Sequence, residues 1–202
     1  MKTKLIFSFL LGLSLLSKAQ HFDVGFGLGT GASYIFENRD QSIDITYSAP
    51  FSSYASLKYT PQNSYFDLKL NFQYANSGIQ GENWKTRKAI DGEVSSMTTS
   101  LMLEHLTGNQ RWNFGYNFGF GYTTENYIEN LEFRSQSEFR KYMSVTLSGV
   151  LAVNVSEKLS IQLIPVLFWS DPANSFRTSN HWYIAGEDLS FLAQIGFVYR
   201  LK

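Results

Sequence analysis

From His21 onward the chain separates into two sets of positions. Phe22, Val24, Phe26, Leu28, Thr30, Ala32, Tyr34 and Phe36 fall on one side, and Asp23, Gly25, Gly27, Gly29, Gly31 and Ser33 on the other. A period of two is the signature of a strand, because successive side chains leave opposite faces of a sheet. The glycines therefore do not form a phosphate-binding loop. Neither G-x-G-x-x-G nor G-x-x-x-x-G-K-[ST] occurs in any register of this stretch, and no helical pattern follows it.

The alternation recurs. A second strand carries Ile45, Tyr47, Ala49, Phe51, Ala55, Leu57 and Tyr59 on one face, and a third carries Phe66, Leu68, Leu70, Phe72 and Tyr74. The fourth offers Met97, Thr99, Leu101 and Leu103. The fifth offers Trp112, Phe114, Tyr116, Phe118, Phe120 and Tyr122 against Gly115, Gly119 and Gly121. A sixth runs through Met143, Val145, Leu147, Leu151 and Val153, and a seventh through Leu159, Ile161, Leu163, Leu167 and Trp169, blurred by Ile164, Val166 and Phe168. The last carries Leu189, Phe191, Ala193, Ile195, Phe197, Tyr199 and Leu201. Each is near or above the roughly 9 to 11 residues that a tilted membrane strand needs. About eight strands, an even number, can close into an all-β, antiparallel, up-and-down transmembrane β-barrel.

The connections alternate in length. Residues 60–63, 107–110 and 154–158 read as short turns, whereas 76–93, 123–140 and 170–188 read as long polar loops; 37–42 is an intermediate case. The N-terminus has Lys2 and Lys4, an apolar run over residues 5–16, and small residues at Ser17 and Ala19. That pattern predicts a cleaved signal peptide over residues 1–19 and a barrel domain over 20–202, because the apolar run falls short of the roughly 20 residues of a membrane helix. The chain has no cysteine, hence no disulfide, thiolate metal site or lipidated first residue. With 17 basic and 17 acidic residues it has no long-range attraction for nucleic acid.

Alternation alone does not distinguish a membrane barrel from a soluble lipocalin-like carrier, in which the apolar face lines a cavity. Two features favour the membrane. Phe22, Phe36, Tyr59, Trp112, Tyr122, Trp169 and Tyr199 fall near strand ends, where interfacial girdles belong. The polar faces are mostly Gly, Ser, Thr, Asn and Gln, which suits a crowded lumen better than a solvated surface. With that face inward, Asp23, Lys58, Asp67, Lys69, Glu104, Arg111 and Arg200 are predicted to form a lumen ion-pair network, since charges there must be paired. Gly25 to Gly31 and Gly115 to Gly121 would leave room for longer inward groups such as Tyr54, Lys69, Gln73 and Arg111.

Chemistry-bearing motifs are sparse. His21, His105 and His181 are scattered without ligand spacing, so neither a metal nor a cofactor is expected, and His105 reads as a residue of the periplasmic rim. Ser179, His181 and Asp188 share one loop, but without a nucleophile-elbow context the expectation is a protein that is not an enzyme. The long loops are better binding candidates: Trp84 with Lys85, Arg87 and Lys88 in one, Tyr127 and Phe133 in another, and Trp182 in the last.

The N-terminal segment, the eight alternating strands, the alternating connections and a last strand ending FLAQIGFVYRLK together resemble small outer-membrane β-barrel proteins of the OmpA-barrel and OmpX type. The resemblance is strongest to barrel-domain proteins of Bacteroidetes, with which Gln20 as the first mature residue also agrees. In that family the final strand carries the assembly signal, usually with a terminal aromatic. Here Phe197 and Tyr199 are in place while the chain ends Leu201-Lys202. The resemblance implies the outer membrane of a Gram-negative bacterium, contact with its lipid and lipopolysaccharide, and a structural or surface-binding task. PorT-like relatives imply an alternative, an accessory subunit of an outer-membrane secretion or transport complex, which a lipid-facing strip rich in small residues would indicate.

Overall fold

The computed structural model describes residues 19–35, 43–62, 64–83, 85–131, 134–170 and 188–201. They form nine antiparallel strands: β1 (Ala19–Ile35), β2 (Ile43–Tyr47), β3 (Phe51–Pro61), β4 (Asp67–Asn83), β5 (Lys88–Gly108), β6 (Trp112–Leu131), β7 (Arg134–Asn154), β8 (Leu159–Ser170) and β9 (Asp188–Arg200). Eight of them close a ring, β1-β3-β4-β5-β6-β7-β8-β9, and β2 continues the line of β3 along β4. Around one circuit, Asp23 pairs with Lys58, then Lys69, Met102, Gly119, Thr146, Phe168, Ser190 and back to β1 at Ser33. The register therefore climbs from position 23 to position 33, and ten residues over eight strands correspond to a tilt of about 40°.

The second predicted strand is two. Phe51 pairs with Asn76, but Tyr47 pairs with Ile79, so three residues of one strand oppose two of the other. This is a β-bulge at residues 48–50. It is pinned by Ser48 N donating to Gly78 O at 2.8 Å, Gly78 N donating to Ser48 Oγ at 2.8 Å, and Ser77 Oγ donating to Ser48 O at 2.6 Å. Pro50 sits there at no cost to the ladder. The extra residue reverses which face each later position occupies. Tyr47, expected on the same face as Phe51, instead turns inward and lines the lumen. The expectation failed because a strict period of two was counted across a bulge.

Elsewhere the two faces are sorted as the alternation predicts. Outward positions are large and apolar: Phe26 and Leu28 are each 59% exposed and Leu101 is 61% exposed, whereas inward Ser52, Thr123 and Ser144 are fully buried. This is the reverse of a lipocalin and removes the soluble-carrier alternative, whose apolar face would have to line a cavity. Allowing about one and a quarter residues of climb per strand, outward Phe51, Tyr74, Tyr122, Trp169 and Phe191 come to one level, and Phe22, Tyr59, Trp112, Phe114 and Tyr199 to another. The two levels stand about 20 Å apart, the scale of an apolar membrane band. The Phe22 and Tyr59 rings meet at 5.4 Å in the lower girdle.

Gly27 and Gly196 make a trough for one side chain. The Tyr54 ring lies where a β-carbon on Gly27 would stand, and its Oη lies over Gly196. Beside it, Ile164, Val166, Phe168 and Leu192 form a buried apolar cluster inside the barrel. These are the β8 residues that blurred the pattern: β8 is apolar on both faces and reads as a continuous run for that reason. Its Pro165 lacks an N–H, and the β7–β8 ladder lapses opposite it, over Gly149 and Val150.

Candidate functional site

The lumen is organised in storeys. At the end holding the short turns, Lys58 is a hub: its Nζ lies 3.0 Å from Glu104 Oε1, 3.2 Å from Asp23 Oδ2 and 3.5 Å from Asp67 Oδ2. Lys69 Nζ takes the other oxygen of Glu104 at 3.2 Å, and Arg200 Nε closes on Asp23 Oδ1 at 3.5 Å. Adjacent strands place these groups together, since Asp23 pairs with both Lys58 and Arg200, Lys58 with Lys69, and Asp67 with Glu104. Three carboxylates face three cations, and Glu104 is only 1% exposed. Arg111 is not a member: it sits exposed in the β5–β6 turn, where its carbonyl accepts from Asn154 N at 2.9 Å. The alternation that would turn it inward starts only at Trp112, where β6 begins.

Above the charges come the apolar cluster with Tyr54 and then a belt of hydroxyls, including Thr98 Oγ1 to Thr123 Oγ1 at 2.8 Å and Thr123 Oγ1 donating to Ser144 Oγ at 3.1 Å. A cavity of about 50 Å³ lies above this belt, lined by Tyr47, Gln73, Ser96, Glu125, Tyr142 and Phe168 among others. It has room for roughly three or four waters. Tyr142 Oη donates to Glu125 Oε2 along its wall at 2.6 Å, between the adjacent strands β6 and β7. Side chains fill the lumen, as the width of an eight-stranded barrel requires.

Among the described residues, strands run past the upper girdle. Residues 76–93 and 123–140, expected as loops, are mostly paired strand. β4 and β5 stay in register to Asn83 with Lys88, β5 and β6 to Gly92 with Glu129, and β6 and β7 to Leu131 with Arg134. Residues 171–187, between β8 and β9, lie outside the described residues. Among the described residues β4 to β7, with β2 paired along β4, thus rise as a wall beyond the upper girdle. Their polarity had suggested loops because this wall stands outside the apolar band and carries Gln80, Glu82, Asp91 and Glu93 on its outward face. Buried Glu125 and Tyr142 were legible in principle, since the alternation of β6 and β7 continues through them.

Of the loop candidates, Lys85, Arg87 and Lys88 are exposed at the β4–β5 tip, and Tyr127 is buried on the inner face of the wall. A binding role for Tyr127 as an exposed loop aromatic does not fit that burial. Trp84, Phe133 and Trp182 lie outside the described residues, as do Phe36, Ser179, His181 and the N-terminal segment before Ala19; of Asp188 only the backbone is described. His105 faces outward at the lower rim, stacked on Tyr65 at 4.1 Å with its Nδ1 2.9 Å from Tyr65 O. Among the described residues no three His, Asp or Glu side chains converge as a metal site.

These features define a class: an eight-stranded up-and-down barrel with an apolar outer band and a filled polar lumen. No family model matches the chain, and no curated protein sequence does either. Solved structures share the fold. Ail, the attachment invasion locus protein of Yersinia pestis, in complex with the heparin analogue sucrose octasulfate, aligns with a TM-score of 0.55 at 15% identity over 90% of this chain and 98% of that one. Neisserial surface protein A aligns with a TM-score of 0.55 at 10% identity over 90% and 97%. The outer membrane protein OprG from Pseudomonas aeruginosa gives 0.58 at 10% identity over 91% and 97%. What is common at these identities is the fold, that of small outer-membrane barrels.

Proposed function

We propose that this protein is an integral outer-membrane barrel without catalytic activity, and that it binds ligands at the cell surface through the wall built by β4 to β7. The observation that carries this reading is the continuation of paired strand to Asn83 with Lys88 and to Leu131 with Arg134, well past the upper girdle. Strand that leaves the apolar band in register is a rigid platform, and rigid elements present binding groups more accurately than loops do. A filled lumen supports a structural or binding task over transport. Ail, in complex with the heparin analogue sucrose octasulfate, is an instance of this fold with a ligand. Recovery in the outer-membrane fraction with heat-modifiable gel mobility, and cleavage by added protease on intact cells confined to the upper hairpins, are the expected results. Recovery in the soluble periplasm contradicts the proposal. An unchanged lipid composition in a His181→Ala strain is expected if the last loop does no acyl chemistry.

A second reading, an accessory subunit of a larger outer-membrane assembly, has one observation in its favour. Outward Thr30, Ala193 and Pro165 are cross-strand neighbours, and the β7 residue opposite Pro165 is Gly149, so small residues cross four strands of the apolar band. Close packing between membrane segments uses small residues. Loss of a co-purifying protein after Ala193→Trp, with barrel assembly intact, is the result that reading predicts.

A further inference from the structure

We infer that the β4–β5 tip is a preformed site for a polyanion bearing closely spaced sulfate or phosphate esters, held by Lys85, Arg87 and Lys88; this rests on the reading that the tall hairpins face the cell exterior. The tip is ordered by one residue. Asn83 Oδ1 accepts from Lys85 N and Thr86 N, both at 3.1 Å, while Asn83 O accepts from Arg87 N at 2.8 Å. Asn83 also pairs with Lys88 across the hairpin. These bonds hold the backbone of Lys85, Thr86 and Arg87, so binding costs little ordering of those residues.

Arg87 has φ 56°, the left-handed region. Glycine enters that region freely and a side-chain-bearing residue does so at a conformational cost. An arginine where glycine would suit the turn better is a local strain of the kind concentrated at binding sites. Guanidinium matches the oxygens of sulfate and phosphate in paired hydrogen bonds, which an ammonium does not. Among the described residues no ion pair neutralises Arg87 or Lys88.

Charge around the tip narrows how a ligand approaches. Glu82, Asp91 and Glu93 are exposed on the outward face of the same hairpin. They repel a polyanion laid along the shaft and leave the tip as the contact. Height separates the two sources of such anions. From outward Tyr74 in the upper girdle, Asn83 is nine residues on, about 20 to 25 Å along the barrel axis. The headgroup layer adds only about 5 to 8 Å per side. The phosphates of the surrounding leaflet lie below the tip, and the ligand comes from outside the cell.

The test uses the full barrel in phosphatidylcholine nanodiscs, with dextran sulfate as probe and neutral dextran as control. Binding to dextran sulfate alone, weakening steeply with salt, is expected. The triple variant Lys85→Gln, Arg87→Gln, Lys88→Gln should bind at least tenfold more weakly. Arg87→Gly should unfold at the same or a higher urea concentration and yet bind several-fold more weakly, a combination that damage to the fold does not produce. Glu82→Gln with Asp91→Asn and Glu93→Gln should bind more tightly. Wild-type affinity in either the triple variant or Arg87→Gly overturns the site. Adding lipopolysaccharide to the nanodisc membrane should leave dextran sulfate binding unchanged; abolition of binding overturns the external source. Labelling of Thr86→Cys on intact cells, run in parallel, reports separately on the surface reading, which fails if that cysteine is reached only after permeabilisation.

Discussion

Tyr54 lies across Gly27, its ring filling the space that a β-carbon at that position would need, while the carbonyl oxygen of Ile195 stands 2.6 Å from the same point. The pair explains why a glycine-rich first strand is compatible with a stable barrel: the aromatic ring covers the backbone that the glycine leaves bare. Gly27→Ala is expected to destabilise the barrel by about 1 to 3 kcal/mol through overpacking. Tyr54→Ser in the same chain should return part of that loss, giving a coupling of about 0.5 kcal/mol or more in a double-mutant cycle. Urea unfolding in lipid vesicles measures both, and strict additivity contradicts the account.

The hub at Lys58 predicts a strong asymmetry among the basic residues. Lys58→Met leaves Asp23, Asp67 and Glu104 without their common cation. Removing one partner from a buried ion-pair network costs about 3 to 5 kcal/mol. Arg111→Gln, in an exposed turn, should change stability by no more than about 0.5 kcal/mol. Equal effects of the two substitutions in urea titrations would place Arg111 in the network and contradict the geometry.

The bulge at residues 48–50 makes a prediction about faces. Because the chain has no cysteine, single cysteines report cleanly. Thr46→Cys, on the outer side, should react with a bulky maleimide and Tyr47→Cys, on the inner side, should not. Deleting Ala49 leaves two residues opposite two, so Tyr47 stays opposite Ile79 and the folded protein should keep both reactivities; reaction of Tyr47→Cys but not of Thr46→Cys contradicts the bulge.

Much of this architecture is legible in the sequence because a membrane barrel demands alternation at every strand, and alternation is a local signal. Phe26 and Leu28 outward with Gly27 inward, or Leu101 and Leu103 outward with Glu104 inward, follow directly. Three things escape it. A bulge adds one residue and leaves no mark in composition, which is why Tyr47 was assigned to the wrong face. A strand apolar on both sides, as β8 is through Ile164, Val166 and Phe168, hides its parity. Paired strand outside the apolar band has a polar outer face, and the extensions of β4 to β7 therefore resembled loops. In the ion-pair network, charge type and parity sufficed for Lys58 and Glu104, whereas for Arg111 the position of the strand end decided, and the sequence marks ends poorly.

If the hairpin wall is the binding platform, the tall end of this barrel faces the outside of the cell and the short-turn end faces the periplasm. Single cysteines at Thr86, in the β4–β5 tip, and at Ser156, in the β7–β8 turn, test it on intact cells with a membrane-impermeant maleimide. The account predicts labelling of Thr86→Cys at once and of Ser156→Cys only after the outer membrane is permeabilised. Labelling in the opposite order, or of neither position until the cells are opened, contradicts it.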